Sequence, residues 1–123
     1  MRRVLFVFLL AVLSLSAADF SGKWAGELRK IKSEARRPDV DTHYLVLEQR
    51  GTTVTGTAGA QREAQFDIQN VKLNGSRLTF EITLEGPGIT VAYDLQLSGD
   101  TITGSIVSKR GPVLEGKLRV KRE

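Results

Sequence analysis

The sequence contains no cysteine, one histidine and one tryptophan. Without cysteine the chain forms no disulfide and has no thiolate for a structural zinc site. The one histidine is His43, and the sequence contains no segment that resembles the nucleophile elbow of a serine hydrolase. Metal binding at His43 would need Asp39 and Asp41 as further ligands. We therefore expect no enzyme, no metal centre and no cofactor.

Helical patterns and aromatic clusters are also missing. No glycine-rich turn leads into a helix, which excludes the usual phosphate-binding loop. Aromatic residues make up 7% of the sequence, too few to stack on a single-stranded nucleic acid, so we expect no nucleic-acid partner. Four carboxylates that could form an acid–base pair fall on predicted outer faces, where solvated charge is the simpler interpretation: Glu27, Glu48, Glu81 and Asp94.

The first 18 residues have the layout of a secretory signal peptide. Arg2 and Arg3 precede an apolar run over residues 4–15, which is shorter than the roughly 20 residues of a membrane-spanning helix. Small residues up to Ala18 then favour cleavage before Asp19. We expect a secreted or periplasmic bacterial protein, with residues 19–123 as one domain and no stable membrane insertion after cleavage.

Residues 19–28, DFSGKWAGEL, form the first predicted strand. Side chains alternate between the two faces of a strand, so Phe20, Trp24 and Leu28 share one face, together with two glycines. The opposite face is mostly polar. This pattern predicts a strand with one face in a core and the other in water. Residues 30–41 follow as a polar stretch without apolar periodicity, and we interpret them as a loop.

The rest of the chain is a series of alternating segments separated by turn residues. Gly51, Gly75 and Gly99 are evenly spaced, and each begins a similar turn-then-strand pattern. This repeat predicts a β-meander of hairpins. With the first strand, eight strands are predicted; the other seven span residues 42–50, 53–59, 65–73, 76–84, 89–97, 101–108 and 113–121.

Eight sequential antiparallel strands would leave two exposed edges if the sheet stayed open. Closing the first strand onto the last removes both edges, so we predict an eight-stranded antiparallel up-and-down meander barrel. A two-sheet β-sandwich is the alternative. In the fourth strand the alternation slips by one residue near Gln69 and Asn70, which predicts a bulge or corner there.

The first strand resembles that of the calycin superfamily, which includes the lipocalins and the avidins. Gly22-Lys23-Trp24 matches the G-x-W signature on the first strand of those barrels. The resemblance implies a fold in which the first strand belongs to an eight- to ten-stranded β-barrel. It also implies an arginine on the last strand that packs across the tryptophan, and Arg119 is the candidate in this sequence.

The interior of the predicted barrel is the first candidate site. An eight-stranded barrel is either filled by its side chains or holds one small ligand. Inward glycines leave room here, and aromatic residues line it. The predicted contacts of a small apolar ligand are Trp24, Phe66, Phe80 and Tyr93. A filled core is the alternative.

The polar loop after the first strand supplies the second candidate site, a surface contact for an anionic partner. Its basic residues are Arg29, Lys30, Lys32, Arg36 and Arg37. The alternative is a solvated loop, because acidic residues are interspersed. The function that we expect is exported, non-enzymatic binding of a small apolar ligand, with that loop as a lid. The alternative is a protein-interaction module such as a secreted enzyme inhibitor.

Overall fold

The computed structural model describes residues 19–33, 40–84 and 88–123, so the predicted signal peptide lies outside it. Within these residues the chain is all-β and has no helix, hence none long and apolar enough to cross a membrane. The strands are β1 (Gly22–Ser33), β2 (Val40–Arg50), β3 (Thr53–Gly59), β4 (Phe66–Asp67), β5 (Gln69–Asn74), β6 (Arg77–Leu84), β7 (Ile89–Ser98), β8 (Thr101–Arg110) and β9 (Leu114–Arg122).

All nine strands belong to one antiparallel sheet in the order β4-β3-β2-β1-β9-β8-β7-β6-β5. The first strand pairs with the last, from Trp24 opposite Arg122 to Ser33 opposite Leu114. The predicted closure of the first strand onto the last is therefore confirmed. The sheet curls into one nearly closed, barrel-like layer rather than the two sheets of a sandwich.

The structure has nine strands rather than the predicted eight because the fourth predicted strand is divided at Ile68. Its first part, β4, pairs with β3, whereas its second part, β5, pairs with β6. Asn70 adopts a positive φ of 52°, and the β5–β6 register shifts between Gln69 and Lys72. The predicted corner is thus confirmed, and it lets one run of chain approach both ends of the sheet.

The predicted loop over residues 30–41 is wrong in part. β1 continues to Ser33, and β2 begins at Val40, while residues 34–39 lie outside the described residues. Pairing of Lys30 with Gly116 extends β1 along β9. A polar sequence does not prevent this, because an antiparallel sheet tolerates water on one face.

Alternating residues on the concave side of the sheet form a single core, as the sequence pattern predicts. The buried apolar residues are Phe20, Trp24, Leu28, Leu45, Leu47, Val54, Ala58, Leu78, Phe80, Ile82, Val91, Tyr93, Leu95, Ile102, Ile106, Leu118 and Val120. Gly26 and Gly104 allow strands to approach closely, since a Cβ on either would overlap a backbone carbonyl oxygen, of Arg119 and of Asp94 respectively. At these two positions the missing side chain therefore serves close approach of the strands rather than leaving room for a ligand.

Candidate functional site

One end of the barrel contains a cavity of about 360 Å³. It lies where β1, β6 and β8 end and where β2, β7 and β9 begin. Most of its wall is apolar, and a few polar side chains interrupt it. The lining residues are Leu28, Lys30, Asp41, His43, Gly59, Ala60, Ile82, Leu84, Ile89, Val91, Tyr93, Ile106, Ser108, Pro112, Val113 and Leu114.

His43 and Tyr93 form a buried polar pair in the cavity wall. The His43 Nε2 atom lies 2.6 Å from the Tyr93 hydroxyl oxygen, and only 5% and 2% of the two residues are exposed. The Tyr93 ring also stacks on Phe80, with 4.6 Å between ring centroids. The His43 Nδ1 atom has no hydrogen-bond partner among the described residues.

Burial favours the uncharged form of both members of this pair. It lowers the pKa of His43 from 6.5 to about 4, against a smaller opposing effect of the Asp41 charge. Burial also raises the pKa of the Tyr93 hydroxyl. A neutral imidazole and a neutral phenol can share one hydrogen bond in an apolar wall without the cost of a buried charge.

Lys30 and Asp41 form an ion pair at the same end of the barrel, with 2.6 Å between Lys30 Nζ and an Asp41 carboxylate oxygen. The Lys30 side chain is 9% exposed and that of Asp41 is 34% exposed. Both residues fall on the inward phase of their strands, in step with Leu28 on β1 and His43 on β2. A lysine this deeply covered needs a partner of opposite charge, and Asp41 supplies it.

The opposite end of the barrel is closed by Trp24 and Arg122. Trp24 is fully buried, and its Nε1 donates to the Phe20 carbonyl oxygen at 2.9 Å. The Arg122 guanidinium lies 4.3 Å from the centroid of the Trp24 ring. It also donates to the Asp100 carboxylate at 2.9 Å and to the carbonyl oxygens of Asp19 and Ser21.

The prediction of Arg119 as the arginine packed across Trp24 is wrong. Arg119 lies opposite Glu27 in the β1–β9 register and is exposed. Arg122 shares the inward phase of Leu118 and Val120, whereas Arg119 has the outward phase. Alternation along β9 from Leu118 and Val120 would have pointed to Arg122 rather than to Arg119.

The four residues predicted to contact a ligand occupy different places. Tyr93 lines the cavity, and the Phe80 ring packs directly on the Tyr93 ring. Trp24 lies at the closed end, and Phe66, half-buried on β4 opposite Ala58, is not among the lining residues. Their ligand-binding roles stay predictions, and the structure brings only Phe80 and Tyr93 together.

The predicted basic contact surface is likewise divided. Arg29 is exposed on β1, whereas Lys30 turns into the barrel mouth and pairs with Asp41. The side chain of Lys32 and the residues Arg36 and Arg37 lie outside the described part of the chain. The prediction of Lys30 as a surface residue is therefore wrong, and the structure places it in the barrel mouth together with His43. Extending the alternation from Leu28 and Leu45 by two residues would have placed both in the barrel.

The cavity wall presents apolar contact surface and a few groups that can form hydrogen bonds. Among the described residues, no carboxylate hydrogen-bonds to His43, and no cluster of three or more histidine, aspartate and glutamate side chains could hold a metal ion. Comparison of this chain with protein-family models, curated proteins and solved structures found no match.

Proposed function

We propose that this protein is a non-enzymatic carrier that holds one small, largely apolar ligand in the mouth of its barrel. The cavity of about 360 Å³ is the observation that supports the proposal. Small-molecule sites occupy roughly 300–1,000 Å³ and combine apolar walls with a few placed polar groups. The Lys30–Asp41 pair, the His43–Tyr93 pair and Ser108 are such groups.

The proposal includes a calycin-like barrel and export from the cell. The closed end supports the first part, because an arginine of the last strand packs on the tryptophan of a G-x-W first strand. The sequence of residues 1–18 supports the second part. Mass spectrometry of the protein from its host should give an N-terminus at or beside Asp19, and an intact Met1 in the soluble fraction would contradict export.

Ligand binding is tested with an uncharged fluorescent probe that brightens in apolar surroundings, N-phenyl-1-naphthylamine. We expect saturable binding of one probe per chain, with displacement by apolar compounds of similar size. Trp24 fluorescence is a poor reporter, because its indole lies at the closed end. Native mass spectrometry of host-purified protein should show a co-purifying small molecule.

A matched pair of variants locates the binding. Ala60 is exposed and lines the mouth, whereas Ala64 is exposed on the same connection without lining it. Ala60→Trp should weaken probe binding at least ten-fold by obstructing the mouth, and Ala64→Trp should leave it unchanged. Equal probe affinity in both variants, or no probe binding by the unmodified chain, would reject the carrier function. Stoichiometric capture of one secreted protein would then favour the inhibitor alternative.

A further inference from the structure

The outer face of β1 and β9 carries a basic stripe of five exposed cations: Lys23, Arg29, Lys117, Arg119 and Lys121. Arg29 lies directly opposite Lys117, and Lys121 lies opposite Ala25. Two acids belong to this register, Glu27 opposite Arg119 and Glu115 at the mouth end of β9. No member of the stripe lies within 4.0 Å of a described carboxylate, although the charge of Lys23 contributes to the lowered pKa of Glu123.

Cations elsewhere on the barrel are mostly neutralised. Arg77 pairs with Asp94, Lys109 with Glu81 and Arg62 with Glu123. Like charges placed directly opposite each other on neighbouring strands destabilise a sheet. The facing of Arg29 and Lys117 therefore costs folding free energy, which an anionic partner would offset.

An aliphatic tip adjoins the mouth end of the stripe and consists of Ile31, Val107 and Val113. These side chains are 52%, 42% and 47% exposed. Ile31 occupies the bulge of β1, and Val107 lies across β9 from it, opposite Glu115, which has an interaction of its own. Val113 belongs to the turn between β8 and β9 and lines the cavity mouth.

The tip lies beyond the mouth end of the stripe, because Ile31 continues β1, Val107 lies on β8 beside β9, and Val113 immediately precedes β9. Arg29 precedes Ile31 by two residues on β1. On β9, Lys117 is two residues beyond Glu115, which is the cross-strand partner of the tip residue Val107. Measured along the strands, each cation therefore lies roughly 7 Å behind the tip. Among residues 19–33, 40–84 and 88–123, this arrangement places aliphatic side chains nearest the mouth edge and cations one layer behind them. That order matches the order of acyl chains and headgroups in a bilayer.

We propose that this face docks the protein peripherally on an anionic lipid bilayer, with the aliphatic tip among the acyl chains and the basic stripe on the headgroups. A soluble polyanion would use the cations but leave the three exposed aliphatic residues unexplained. The surface does not depend on the cavity being occupied, so it goes beyond the proposed carrier function. In the docked orientation the cavity mouth faces the bilayer.

The test is co-sedimentation of the purified chain with phosphatidylcholine vesicles and with vesicles that contain about a third phosphatidylglycerol. We expect binding to the anionic vesicles that weakens as salt screens the charges. Each cation near an anionic membrane contributes about five-fold in partition coefficient. Lys117→Gln should lower it by about that factor, and the double variant Arg29→Gln/Lys117→Gln should lower it by more than ten-fold.

Matched controls distinguish an effect of this particular surface from an effect of the chain's total charge or total hydrophobicity. Lys72 is an exposed cation on β5, away from the stripe. Val46 is an aliphatic residue of β2 with the same 42% exposure as Val107, and it lies opposite Lys23, at the end of the stripe remote from the tip. Lys72→Gln and Val46→Ser should bind as the unmodified chain does. Ile31→Ser/Val113→Ser should bind several-fold more weakly at unchanged charge.

Three outcomes would overturn the proposal. The first is no binding to anionic vesicles at low salt. The second is equal loss in the Lys72→Gln control and the Lys117→Gln variant. The third is full binding by the Ile31→Ser/Val113→Ser variant together with tight capture by immobilised heparin, which would assign the stripe to a soluble polyanion. Circular dichroism of each variant establishes that the sheet is intact.

Discussion

The Tyr93 hydroxyl and His43 Nε2 meet at 2.6 Å inside the barrel, although they belong to strands β7 and β2, which are not neighbours in the sheet. The curvature of the sheet brings them together. The pair therefore reports on closure of the barrel and on the protonation of a buried imidazole, and both properties can be measured.

Protonation of His43 should destabilise the fold below neutral pH. Its pKa is depressed from 6.5 to about 4, so the unfolded chain binds a proton that the folded chain excludes. The contribution of neutral His43 to the free energy of unfolding is thus present above pH 6.5 and is lost as the pH falls from 6.5 towards 4. Linkage gives a loss of about 2 kcal/mol between pH 7 and pH 5.

Urea unfolding at both pH values measures this loss. His43→Gln, which cannot titrate, should show a much flatter dependence over the same range. The same steep loss in that variant would assign it to other groups.

Replacing Tyr93 by phenylalanine should destabilise the fold by about 1–3 kcal/mol, because His43 would lose its hydrogen-bond partner in a buried site. The phenylalanine ring retains the stacking on Phe80. The control is Tyr44→Phe, since Tyr44 is half-buried and its ring contacts the Arg62 guanidinium. Denaturant midpoints compare the two variants, and a smaller loss for Tyr93→Phe than for Tyr44→Phe would contradict the prediction.

Removing one charge at the mouth should cost more than removing both. Asp41→Asn leaves the largely covered Lys30 ammonium without its counter-charge, and we expect a loss of about 1–3 kcal/mol. Lys30→Met/Asp41→Asn should recover most of that loss. A double-mutant cycle on unfolding free energies measures the coupling, and additive losses would show that the pair is not coupled.

Arg122 and Arg119 should differ sharply although both lie on β9. Arg122→Gln removes the guanidinium that lies over the Trp24 ring, together with its hydrogen bonds to the Asp19 and Ser21 carbonyl oxygens. We therefore expect the free energy of unfolding to fall by about 1–2 kcal/mol and the indole emission spectrum to change. Arg119→Gln should change neither stability nor emission appreciably. Equal effects of the two substitutions would mean that Arg122 does not close the barrel end.

Alternation predicted the inward face of nearly every strand and the pairing of first with last, because both follow from burying one face of a closed sheet. It could not predict that His43 meets Tyr93. A pattern of period two assigns a face to each residue, but not the strand that faces it across the interior. Strand length was also underestimated, since pairing with β9 carries β1 through polar residues that have no apolar signal of their own.

The pairing of β1 with β9 brings Asp19 and Glu123 to the same end of the barrel. The Arg122 guanidinium reaches the Asp19 carbonyl oxygen, and the Glu123 amide donates to the Lys23 carbonyl oxygen at 2.7 Å. A short glycine-rich linker could therefore join these two residues, and a new start at Gly75, in the exposed turn after β5, would give a circularly permuted chain with the same sheet. The β1–β9 pair would become a local hairpin, whereas the shorter β5–β6 pairing would become the most sequence-distant one. Because the longer of the two pairings becomes local, the permuted chain should refold faster than residues 19–123 in their original order.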